Sequence, residues 1–262
     1  MAFQEKLFGY SDLLACLELL RRRRDTRPIA HLIALIAQYA LEVDVKAALR
    51  YLRWKGWIRR GQKGSHPAFE LAAPCSGDPI VELKQEKSAR RWDGTWTVLT
   101  YDVPESQRMV RRRMTRLLHR TGFAMVSKSS WISPYEWRDV FQDAVLRWPS
   151  DGTFSYIRST DVSMLGETSE LDPAELWRLD EIRNGHVRII DVCRRTSRHD
   201  SEPGRRSRAR ALMIAVKAWR LINVRDPMLP RPLLPAAWSR EEADRWLGEL
   251  ASRVARDAEG RE

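Results

Sequence analysis

Arginines and lysines set in regular rows are the residues of this chain whose type and spacing carry chemistry. Lys46, Ala47, Arg50 and Arg53 share the outward side of a segment opening at Val45, and Arg59, Arg60 and Lys63 follow on a short turn-bounded stretch. A guanidinium in the first set can grip a guanine edge through two parallel hydrogen bonds, whereas the second set suits phosphate or the minor groove. Further on, Arg108, Arg112, Arg116 and Arg120 recur at every fourth position. Like charges at that spacing destabilise a helix by roughly 0.2 to 0.5 kcal/mol per pair, so acids, water or a bound anion must offset them.

Composition agrees with a polyanionic partner. The 262 residues carry 46 Lys and Arg against 35 Asp and Glu, a net charge of +11. Phosphate neutralisation and counterion release reward such an excess. Residues 1–73 hold thirteen basic against seven acidic residues and residues 88–165 twelve against eight, whereas residues 166–262 hold nineteen against seventeen, so the excess lies toward the amino end. Cys16, Cys75 and Cys193 lie far apart with no C-x-x-C, and no His pair has ligand spacing. Neither disulfides nor structural zinc are expected, and no cofactor motif such as a glycine-rich phosphate loop is present. Without an apolar window of membrane-spanning length or a secretory h-region, a cytoplasmic protein is expected.

The elements that must position these residues read as α+β, in three parts joined by a linker. Residues 1–73 predict an amino-terminal winged helix. In it, helices run over Ser11 to Arg24 and Ile29 to Ala40, and Asp44 is the N-cap of a third over Val45 to Lys55. Trp57 to Arg60 and Phe69 to Leu71 then form a basic hairpin with its tip at Gly61 to Gly64. Two helices joined by a turn place the second in a major groove, with double-stranded DNA as the partner. Residues 74–87 read as a linker with a short strand at Ile80 to Leu83.

Residues 88–165 predict a ferredoxin-like β-α-β-β-α-β domain. Thr95 to Asp102 is a strand ended by Pro104, the arginine row forms a helix closed by Gly122, and Phe123 to Val126 pairs with Ser130 to Ile132. Ser133 and Glu136 read as a capping box for a second helix, followed by a last strand from Phe154 to Ser159. Leu99 and Tyr101 point to one face of the first strand, the face assigned to two-fold dimerisation. Residues 166–262 predict an all-α carboxy-terminal domain that holds an effector or packs against the rest. Asp172-Pro173 opens its first helix, Arg194 to Arg210 reads as a polar loop, four prolines between Pro227 and Pro235 exclude helix, and Ser239 with Glu242 caps the last helix.

Trp92-Asp93-Gly94-Thr95-Trp96, the strand ending Tyr101-Asp102-Val103-Pro104, Gly122-Phe123 and Trp131-Ile132-Ser133-Pro134 together resemble the middle domain of the PaaX family of bacterial transcriptional repressors. Gly56-Trp57-Ile58 is similar to that family's wing, and Asp226-Pro227-Met228-Leu229-Pro230 with Leu233-Leu234-Pro235 and Trp238 to its carboxy-terminal signature. The family's Arg-Thr-Ala run is replaced here by Lys46-Ala47-Ala48. The resemblance implies a homodimeric repressor, not an enzyme, released by a small-molecule effector of the CoA-thioester kind. Arginines would have to hold its phosphates, and Arg108, Arg112 and Arg116 are the candidates. The middle domain also resembles the small CRISPR adaptation subunit, which implies an alternative, a metal-dependent nuclease using Asp102. Turn acceptor is the role preferred for that aspartate.

Overall fold

A computed structural model describes Asp12, Ala15, Cys16 and residues 45–54, 56, 58–63, 66–71, 79–163, 171–196 and 202–259. The described elements are, in order, α1 (Val45–Trp54), β1 (Ile58–Lys63), β2 (His66–Leu71), α2 (Pro79–Ser88), β3 (Trp96–Asp102), α3 (Arg108–Arg120), β4 (Ala124–Ser127), β5 (Ser130–Ser133), α4 (Arg138–Arg147), β6 (Thr153–Ser159), α5 (Pro173–Leu176), α6 (Leu179–Thr196), α7 (Glu202–Arg225) and α8 (Arg240–Glu259). The chain divides into two compact units. One comprises Met1–Gly77, Arg183–Ile222 and Ser239–Glu262, the other Asp78–Ile182 and Asn223–Trp238. Each is thus assembled from separate stretches of sequence, and the carboxy-terminal helices share a unit with the amino-terminal elements.

In the first unit Leu52 of α1 and Ile58 of β1 enter a core with Ile189 and Ile190 of α6, Leu212 and Val216 of α7, and Leu247 and Leu250 of α8. Burying an aliphatic side chain of this size contributes roughly 1.5 to 3 kcal/mol, so the long helices are the platform that seats α1. Cys16 belongs to the same core, where its Sγ donates to Met213 Sδ at 3.4 Å. The Arg208 guanidinium, itself almost wholly buried, grips Asp257 through two bonds of 2.9 and 2.8 Å. β1 and β2 pair antiparallel from Ile58 opposite Leu71 to Lys63 opposite His66. Strand pairing therefore runs through the stretch read as the hairpin tip. The helices expected over Ser11 to Arg24 and Ile29 to Ala40 lie outside the described residues, apart from Asp12, Ala15 and Cys16, which are helical.

The second unit holds a four-stranded antiparallel sheet in the order β4-β5-β3-β6. With α3 joining β3 to β4 and α4 joining β5 to β6, this is the ferredoxin-like plan. Leu99, Tyr101 and Trp131 on one face meet Met114 and Leu118 of α3 and Phe141 of α4. On the other face Trp96 stacks on Trp177, with centroids 6.2 Å apart, and Trp92 meets Trp96 edge-on at 5.0 Å.

Several local readings give way to tertiary structure. From Pro79 on, where the expected linker enters the described residues, it and its expected strand are the helix α2, whose Lys84 is fully buried and so interrupts what would otherwise be an apolar stripe. No Ser133 and Glu136 capping box forms. Ser133 closes β5 and accepts from the Tyr135 N–H at 3.2 Å, and Glu136 pairs instead with Arg158. Asp172 does cap, accepting from Ala174 N at 2.8 Å, but α5 stops after one turn and Arg178 takes φ 50° before α6 starts. The expected polar loop from Arg194 to Arg210 is helical at both ends, in α6 to Thr196 and in α7 from Glu202. Pro203 falls in the first turn of α7, where a missing N–H costs nothing. Before α8, Glu242 turns to Arg194 rather than back to Ser239.

Candidate nucleic-acid interface and anion cleft

α1 has two unlike sides. Leu52 is wholly buried and Leu49 packs on the same core, while Arg50 and Arg53 are exposed and Trp54 is 74% exposed. Positions 50, 53 and 54 fall on one helical face by their spacing of three and four. Neither Arg50 nor Arg53 forms an ion pair among the described residues. Of the other predicted contacts, Ala47 is half-buried and Arg59 is exposed on β1, while Arg60 and Lys63 lie on β1 opposite Phe69 and His66. The side chains of Lys46, Arg60 and Lys63 lie outside the described residues. Trp54 escaped the sequence reading, although its place four residues beyond Arg50 signals it.

In the second unit a cleft of about 690 Å³ opens along α3. Arg111, Arg112, Arg116, His119 and Arg120 line it from α3, and Arg225 from the last residue of α7. Among the described residues no carboxylate lines it. Two of the three predicted anion contacts, Arg112 and Arg116, are therefore brought together; Arg108 is not among the lining residues. Arg111 is fixed, donating to Glu105 at 2.7 Å and to the Val103 carbonyl at 2.6 Å. Desolvation lowers the His119 pKa, and its ring stands edge-on to Trp131 at 4.9 Å, so at neutral pH it offers a hydrogen bond rather than a charge. Arg225 is more than one hundred residues from α3 in sequence, and no local pattern links the two.

Lys84 anchors the end of α7 that carries Val224 and Arg225. Its Nζ donates to the carbonyls of Asn223, Val224 and Asp226 at 3.1, 3.3 and 2.6 Å, the unpaired carbonyl end of α7. Asp226 accepts from Met228 N at 2.7 Å, and the Tyr135 hydroxyl donates to the Met228 carbonyl, so the Asp-Pro-Met-Leu-Pro segment is tied to the sheet unit.

Leu99 and Tyr101 do not form an outer face. They are 3% and 6% exposed and lie beneath α3 and α4, because the alternation that pairs them also points them at the helices. The opposite face carries Ile157, 51% exposed, in register with Val98 and Ile132. Asp102 ends β3 opposite Thr153 and is exposed. No group of three His, Cys, Asp or Glu suited to a metal occurs among the described residues.

An antiparallel ferredoxin-like sheet with helices toward both ends of the chain defines an α+β protein with a Cas2-like middle domain. Residues 89–171 match the PaaX protein central Cas2-like domain and residues 177–260 the PaaX-like protein C-terminal domain, together more than half the chain. The chain belongs to the PaaX family, a family of transcriptional regulators. Its fold is similar to that of the uncharacterized protein Rv0674 from Mycobacterium tuberculosis, at 19% identity and a TM-score of 0.62 over 93% of this chain and 95% of that one. No curated protein matches the chain.

Proposed function

We propose that this protein is a homodimeric, DNA-binding transcriptional repressor that reads an inverted-repeat operator through α1. In this reading the amino-terminal elements form a winged helix. Arg50 and Arg53 meet base edges, and Arg59, Arg60 and Lys63 of the hairpin meet phosphate or the minor groove. The observation that carries it is the exposed Arg50, Arg53 and Trp54 face of α1, set on a helix whose opposite side is locked into a core by Leu52. Family membership and the +11 charge support the same partner. The family domains suggest the phenylacetic acid pathway as the regulated process, with a CoA thioester as releasing effector. A two-fold dimer matches a two-fold operator, and the sheet face bearing Val98 and Ile157 is the surface available for it.

The test is a nuclease footprint of the full chain on the promoter of its own gene. A protected, inverted-repeat segment with half-sites one helical turn or a multiple apart is expected. Protection that slides along the fragment without a fixed boundary would overturn the operator-reading assignment.

A further inference from the structure

We infer that Trp54 is a specificity residue whose indole covers the 5-methyl group of one thymine in each operator half-site. The inference rests on α1 as the operator-reading helix and adds to it an apolar contact that arginines do not make. Trp54 ends α1 and is 74% exposed, while Leu52 on the other side of the helix is wholly buried. A single exposed apolar side chain is ordinary on a protein surface. What marks this one is how it is held and what stands beside it.

The ring is braced and the helix end beneath it is closed. Tyr51, three residues earlier, lies with its ring centroid 6.1 Å from that of Trp54 at a tilt of 43°, within the range of a favourable aromatic pair. The Gly56 N–H donates to the Arg53 carbonyl at 2.9 Å, and Gly56 takes φ 71° to turn the chain out of the helix. An indole set in this way loses little freedom when a partner covers it. Its neighbours on the surface are Arg50, one turn earlier, and Arg53, both exposed. A protein covering Trp54 would have to bring acceptors for two guanidiniums as well, whereas duplex DNA carries them on base edges and phosphates. In a major groove the apolar feature is the thymine methyl, and apolar side chains contact it. Four residues advance the helix by about 6 Å, against 3.4 Å per base step, so the thymine falls about two base pairs from the base that Arg50 reads.

Fluorescence anisotropy of the full chain tests this on its footprinted operator, with each thymine of one half-site replaced in turn by uracil, which lacks only the 5-methyl group. Wild type is expected to lose roughly fourfold in affinity at one position, the worth of one buried methyl-sized group. Trp54→Ala should bind the unmodified operator severalfold more weakly and be indifferent to uracil at that position. Trp54→Phe, which keeps a flat apolar ring, should retain part of the sensitivity. Circular dichroism establishes that each variant folds. A uracil profile that is the same in wild type and Trp54→Ala would overturn the thymine contact while leaving the footprint, and with it the operator reading, intact. A Trp54→Ala chain that sediments as a monomer where wild type is a dimer, with that unmoved profile, would instead give Trp54 to a contact between copies. Absence of any fixed footprint would sink the operator reading and the thymine contact together.

Discussion

Lys84 shows how far a residue's role can lie from its type. In the run Glu82-Leu83-Lys84-Gln85-Glu86 a lysine reads as solvent-facing, yet its ammonium is fully buried on three carbonyls at the end of α7. Lysine is almost never buried unless its charge is satisfied, and a helix carboxyl end supplies both acceptors and negative potential. Replacing it with methionine keeps the approximate volume and strands those carbonyls. Lys84→Met is therefore expected to lower stability by about 1.5 to 3 kcal/mol, measured as an earlier midpoint in urea. An unchanged midpoint would show that water takes the ammonium's place. The arginines are the opposite case, because Arg112 and Arg116 were legible from spacing alone. Arg225, brought to them only by tertiary folding, was not.

At the scale of elements, the motifs that carry the family resemblance are mostly structural. Asp93 of Trp-Asp-Gly-Thr-Trp accepts from the Thr95 N–H at 2.8 Å, a bond that lowers its pKa, and Gly94 takes φ 78° to turn the chain into β3. Gly122 closes α3 at φ 82°, its carbonyl takes the Trp177 indole N–H at 2.8 Å, and a Cβ there would sit 3.0 Å from the Pro227 backbone. Gly122→Ala thus combines a left-handed residue with a clash against backbone that Lys84 and Tyr135 hold in place. It should cost at least about 1 kcal/mol, read as a fall in thermal midpoint, whereas Gly94→Ala, with open space around it, bears the conformational term alone. Equal losses in the two would contradict the packing argument. The β-α-β-β-α-β order was readable because proline, glycine and period-two alternation punctuate it. The helix α2 was not, since a buried lysine breaks its stripe, and neither was the helical start of α7, since Pro203 and Gly204 look like loop until proline is placed in a first turn.

At the scale of the whole molecule, the linear order of domains is not the order of packing. The carboxy-terminal helices build the core into which α1 and β1 are set, and the proline-rich segment after α7 returns to the sheet unit. Even where sequence periodicity marks a helix it says nothing about which distant helix it meets, so this division was out of its reach. The central claim is that α1, seated on that helical core, reads an operator through its exposed arginines. Fluorescence anisotropy of the full chain on its footprinted operator and on a scrambled duplex, with wild type and Arg50→Ala side by side, tests it most directly. Arg50→Ala is expected to lose about 1 to 3 kcal/mol on the operator and little on the scrambled duplex. Equal loss on both, or none on either, would contradict it.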